Sequence, residues 1–321
     1  MIDLKKVETL ADWQQLRPEI ERTVRDALGL TPRDRPDLQM KTVDEEEYEG
    51  YVRRRINYFV EDWERISAWL FIPEDKEESP AILCCHSMVG QGKDEPAGVE
   101  GNPLLAFAQH YAQMGYVTLA PDCITAGERV SVGLYPFDTK MYYRDNPRQS
   151  AMAKMLWDHV RAIDALCELK RVDNERIGVT GHGFGAQNAL FLAALDERVQ
   201  ACVASCGFTR FEDDAAPERW AMQEGFTYIP KFRKAVREGR FPFDWEHVLA
   251  LATPTPMLIL AGLNGDQGNN PNSCKKAVKM TRRIYDLLGA SEALAVRCRS
   301  KKQDLDLTTR ETADSWFERW L

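Results

Sequence analysis

The chain has 321 residues, 44% of them hydrophobic and 29% charged, with a net charge of −8, an ordinary globular composition. That length allows two domains of about 150 residues, although large α/β folds run past this as one unit. The acidic balance argues against nucleic acid and anionic membranes as partners, and no apolar run approaches the roughly 18 residues of a membrane helix.

The opening Met1-Ile2-Asp3-Leu4-Lys5-Lys6 has no apolar signal core, so a cytoplasmic location is the default expectation. Residues 7–28 read as a helix ending near Gly29, and Pro32 and Pro36 keep the helix from continuing beyond it. Three strands are expected at 38–43, 51–59 and 67–72, forming an antiparallel entry to a sheet. Arg53-Arg54-Arg55 comes after Asp44-Glu45-Glu46-Glu47 and reads as a charge-paired strand surface rather than a phosphate site.

From residue 80 short apolar strands alternate with helices. Strands are expected at 81–86, 117–120, 177–180, 202–206, 256–260 and 294–298. Asn102 and Pro103 suit the cap and first turn of a helix reaching Met114. Met152, Met155, Leu156, His159, Val160, Ile163 and Leu166 recur at helical spacing, and further helices fit 185–195, 273–288 and 310–321. This alternation means a mostly parallel central sheet with helices on both faces. Residues 1–75 read as an N-terminal helix and antiparallel strands of the same unit, and 76–321 as the core, with a lid-like insert near 207–250. The eight cysteines include no C-x-x-C pair and no Cys/His cluster with metal-ligand spacing. Reduced, structural thiols are expected, with no metal and no cofactor.

The stretch Arg176 to Asn188 reads strand, glycine-rich turn, helix. Gly181-x-Gly183-x-x-Ala186 satisfies a dinucleotide fingerprint, but that site needs a carboxylate about 20 residues on, and the next strand ends Ala204-Ser205-Cys206-Gly207. The alternative is a nucleophile elbow, G-x-S-x-G, with glycine where serine should stand. His86 followed by Gly92-Lys93-Asp94-Glu95-Pro96-Ala97-Gly98, Ala120-Pro121-Asp122, Gly181-His182-x-x-Gly185, Ser205-Cys206-Gly207-Phe208 and the closing Arg310-Glu311 to Trp320-Leu321 helix favour the elbow. Together they resemble the α/β-hydrolase superfamily, in its acetyl-xylan-esterase and dienelactone-hydrolase-like branch, over nearly the whole chain.

The resemblance implies an α/β-hydrolase fold and a Ser, Asp/Glu, His triad in that chain order. It puts Gly183 at the nucleophile position, Asp266 at the acid position and Gln303 at the histidine position. The five histidines are His86, His110, His159, His182 and His247, so none comes after Asp266 and the triad is degenerate. Glycine carries no attacking atom, and glutamine does not shuttle protons near neutral pH. The oxyanion hole is expected to be retained, from the Phe184 amide at a helix start and from the loop around Ser87 and Met88. His86, Ser87, Met88, Asp122, Phe184 and Trp220 are the candidate substrate-binding residues. Trp220, Phe226 and Tyr228 read equally as a ligand-facing wall or as lid packing, and His159 as a core residue.

The main expectation is therefore a repurposed, non-hydrolytic enzyme of lyase, cyclase or isomerase type. It would act on a small carbonyl, ester or carboxylate compound, with Asp266 as acid/base. One alternative is a non-catalytic binding or scaffold pseudoenzyme; another is a carboxylic-ester hydrolase whose nucleophile and histidine were deliberately substituted. The partner is a small-molecule ligand or substrate, with a homo-oligomer left open.

Overall fold

A computed structural model describes residues 2–74, 77–222, 225–262, 270–299 and 306–321. Asp266 and Gln303 lie outside the described residues. Helix α1 (Leu10–Leu28) opens with a capping box between Thr9 and Asp12 and stops at Gly29, whose φ of 74° ends it in a left-handed cap. Strands β1 (Lys41–Tyr48), β2 (Tyr51–Glu61) and β3 (Glu64–Pro73) come next as an antiparallel meander. The first strand lies several residues beyond the expected 38–43. Its acidic residues face the arginines of β2 as the charge-paired strand surface expected from sequence: Arg53 pairs with Glu46 at 2.6 Å, and Arg54 pairs with Glu45.

The rest of the chain winds as β4 (Ser79–Cys85), α2 (Phe107–Gln113), β5 (Val117–Pro121), α3 (Lys140–Asp145), α4 (Ala151–Cys167), β6 (Val172–His182) and α5 (Phe184–Leu195). It continues as β7 (Val199–Ser205), α6 (Phe232–Glu238), α7 (Trp245–Leu251), β8 (Met257–Ala261), α8 (Pro271–Leu287), β9 (Leu294–Cys298) and α9 (Leu307–Trp320). The expected helix to Met114 is broken. Asn102 caps a short 3-10 turn over Pro103–Leu105, and Ala106 (φ −74°, ψ 58°) interrupts it before α2 begins.

One nine-stranded sheet runs in the order β1-β2-β3-β5-β4-β6-β7-β8-β9. The strands from β5 to β9 are mutually parallel, and β3 joins β5 antiparallel. Period-two alternation sorts the side chains onto two cores. Ala81, Leu83 and Cys85 of β4, with Cys202 and Ala204 of β7, join the core that includes residues of α1, α4, α5, α7 and α8. Ile82, Cys84, Ala201 and Val203 point to the other side, where α2 and α9 pack. This is an α/β-hydrolase fold. The 207–250 segment is largely internal: Phe208, Phe211, Trp220, Phe232, Phe243 and Trp245 are each buried and hold one another edge-to-face or stacked. Among the described residues no helix is long and apolar enough to cross a membrane.

Candidate active site

Strand β6 hands over to α5 through Gly183, which sits at φ 55° and ψ −112°. This left-handed backbone is the sharp strand-to-helix turn of a nucleophile elbow. A Cβ built at 183 would meet nothing within 4 Å, so the position has room for a side chain that it does not carry. The neighbouring glycines have the opposite reason for being glycine. A Cβ on Gly181 would strike the Gly185 backbone, and one on Gly185 the Cys85 and His86 carbonyl oxygens. They let α5 lie hard against the strand ends, and the first amides of α5, which lack intrahelical acceptors, open beside the turn.

Above the turn lies a cavity of about 380 Å³, within the size range of small-ligand sites. Ser87, Met88, Glu95, His182, Gly183 and Phe184 line one part of it, and Gln187, Cys206, Arg219, Trp220 and Tyr228 another. Phe184 packs on Tyr228 with ring centroids 5.5 Å apart, and Tyr228 on Trp220 at the same separation. The aromatic residues of the insert therefore both fill the core and wall the cavity.

His182 brings Nδ1 to 2.9 Å from Ser205 Oγ. Burial and the nearby Arg299 guanidinium push its pKa down to about 3, so the ring is neutral at pH 7. Burial pushes the Glu95 carboxyl up, with Ser87 and the Asn102 amide partly holding it back. The Ser87 hydroxyl lies near that carboxyl but meets no partner at hydrogen-bonding geometry.

Of the substrate-binding residues expected from sequence, the structure brings Ser87, Met88, Phe184 and Trp220 to this cavity together with Gly183. It places His86 and Asp122 behind the cavity wall instead. His86 is 1% exposed; its Nδ1 donates to the Ser87 carbonyl at 2.6 Å, and its Nε2 accepts from the Cys123 amide at 3.0 Å. Asp122 accepts from the Lys93 amide at 2.8 Å and from Lys93 Nζ at 2.9 Å, an ion pair closed off from water. Both residues end parallel strands, where sites gather, but both spend their polar atoms on holding loops. Sequence reasoning missed Glu95, Gln187, Cys206 and Arg219. Each lies on a loop or helix turn whose approach to the elbow depends on tertiary packing, and no spacing marks it.

Residues 66–221 match the Dienelactone hydrolase family. YtaP of Bacillus subtilis (strain 168), which carries a provisional hydrolase name, is 25% identical over 313 residues, covering 95% of this chain and all of YtaP. A glucuronoyl esterase from Solibacter usitatus superposes with a TM-score of 0.78 at 19% identity, covering 97% of this chain and 94% of its own. A glucuronoyl esterase from Teredinibacter turnerae does so with 0.75 at 18%, covering 98% and 86%. These likenesses point to a hydrolase and overturn the expectation of a non-hydrolytic lyase, cyclase or isomerase. That expectation rested on the residues at the triad positions alone, and the carboxylic-ester hydrolase alternative fits better.

Proposed function

We propose that this chain is of the carboxylic-ester hydrolase kind and that the cavity over Gly183 is its ester site. The observation that carries this reading is the elbow itself: Gly183 keeps the strained φ 55°, ψ −112° turn with open space above it. A glycine there has no side chain whose placement would require that strain, so the turn is explained by what it does for the backbone. It aims the Phe184 amide into the cavity as an oxyanion donor for a substrate carbonyl. The aromatic wall of Trp220 and Tyr228 suits the acyl or alcohol part of a small ester. Within this proposal Asp266 stands at the acid position and Gln303 at the histidine position, as the resemblance implies.

The experiment is thermal unfolding with and without a non-cleavable ester isostere, such as a short-chain methyl ketone. Saturating ligand at about 100 times its Kd stabilises the folded chain by about 2.7 kcal/mol, read as a raised Tm. Gly183→Leu puts a side chain into the open space, and the shift is lost. Equal shifts in parent and variant, or none in either, overturn the reading.

A further inference from the structure

We propose that Glu95 is the general base of this cavity, taking a proton from a water molecule that attacks the carbonyl carbon of a bound ester. The inference deepens the ester-site reading and rests on it. Glu95 lines the cavity with Gly183 and Phe184 and is 4% exposed. The loop that carries it is pinned on both sides. Just before it, Lys93 is tied to Asp122 through both its amide and its Nζ, and Asp94 Oδ1 accepts from Trp69 Nε1 at 2.6 Å. After it, the Gly98 amide donates to the Glu95 carbonyl at 3.0 Å, and a Cβ on Gly101 would sit 3.2 Å from the Glu95 Cβ and Cγ. Gly101 thus covers the stem of the side chain.

Glu95 differs from the other buried carboxyls in having no cation. Among the described residues, Glu61, Asp122, Asp158, Asp196, Asp244 and Glu246 each pair with an arginine or lysine. Glu95 has the Ser87 and Asn102 amides instead. A buried carboxylate without a cation is costly to keep charged. Burial accordingly pushes its pKa up, which strengthens it as a base. A second observation points to a ligand: Gln187, on the cavity wall, keeps its Oε1 shielded from solvent with no donor, an acceptor that a bound water or alcohol hydroxyl satisfies.

The charged groups nearby are engaged elsewhere. Lys93 also bonds to Glu128, and across the cavity Arg219 pairs with Asp214. Arg299 donates to Ser205 Oγ and Cys206 Sγ. His182 is neutral until about pH 3, and burial pushes the Tyr228 hydroxyl up. Glu95 is the one carboxyl among the described lining residues.

The step balances with ester and water alone. The Cβ position of Gly183 is open, and a water molecule fits there. Its oxygen adds to the acyl carbon while Glu95 takes one of its protons, and the negative carbonyl oxygen lies at the Phe184 amide. The carbon–oxygen bond to the alcohol then breaks, and the departing alkoxide takes the proton from Glu95. Carboxylic acid and alcohol leave, the Glu95 carboxylate is regenerated, and no acyl-enzyme forms.

The test follows hydrolysis of 4-nitrophenyl acetate by the full chain and its Glu95→Gln and Glu95→Asp variants from about pH 4 to 8. Parent kcat/KM is expected to fall toward acid with a midpoint above the ordinary glutamate value of about 4.3, and kcat to be lower in D2O. Glu95→Gln lowers kcat by about 100-fold or more and removes the acid limb, while the methyl ketone still raises its Tm. Glu95→Asp keeps an acid limb and part of the rate, and carries the test if the glutamine variant does not fold. A Glu95→Gln variant with the parent's kcat and acid limb overturns the inference. So does an acetylated chain that forms and decays at the turnover rate, or a parent no faster than buffer. If the ketone raises the parent's Tm in any of these cases, the ester-site reading stands without Glu95; if it does not, both fall.

Discussion

At position 183 the backbone turns left-handed with open space where a Cβ would sit, whereas two residues on, at 185, a Cβ would drive into the Cys85 carbonyl oxygen. The two glycines therefore respond differently to the same change. Gly183→Ala adds only the strain of an unfavourable φ/ψ, about 1–3 kcal/mol. Gly185→Ala must push α5 off the ends of β4 and β6, a cost above that range. Urea denaturation of the two variants measures the difference, and equal costs would show that α5 is not held by close backbone approach. The same contrast explains why a glycine-rich turn could be read in two ways from sequence. Gly181 and Gly185 serve close packing, and the conformation at 183 joins the missing downstream carboxylate in favouring the elbow over a dinucleotide loop.

Among the elements, strands buried inside the sheet were the most legible. The apolar runs at 81–86, 202–206 and 256–260 correspond to β4, β7 and β8, because a strand buried on both faces leaves a continuous hydrophobic signal; the run at 294–298 is the edge strand β9. Strand β1 was misplaced because it is exposed along its whole length, and its acidic residues are stabilised by arginines that lie across the hairpin. The turn at Gly183 could be named from its motif, but the cavity above it could not. Glu95 and Gln187 reach it from a loop and a helix turn, and Cys206 from the end of β7. The insert hid its double role for a similar reason: Trp220 and Tyr228 are as buried as core residues, so hydrophobicity does not tell wall from filling.

The molecule as a whole carries buried histidines whose titration couples to folding. Burial pushes His159 and His182 down to about 3, against about 6.5 in an unfolded chain. Between these values the unfolded chain binds protons that the folded chain refuses. Their contribution is complete above about pH 6.5 and drains as pH falls toward 3, by up to about 1.4 kcal/mol per pH unit for each ring. His159 lies in the core with Nε2 3.8 Å from Cys123 Sγ, away from the cavity lining. His159→Phe is thus expected to flatten the acid limb of stability against pH by about that slope, measured from urea midpoints between about pH 6 and 4. An unchanged slope would show that His159 protonates in the folded state as readily as in the unfolded one.

The fold, the strained turn at Gly183 and the cavity above it support the proposal made for the whole protein, an ester-hydrolase frame in which the resemblance puts glycine at the nucleophile position and glutamine at the histidine position. The direct measurement is hydrolysis of 4-nitrophenyl acetate by Gly183→Ser combined with Gln303→His, compared with the parent chain. A restored nucleophile and proton shuttle should raise kcat/KM by a factor on the order of 10² or more. A folded double variant no faster than the parent would contradict the claim.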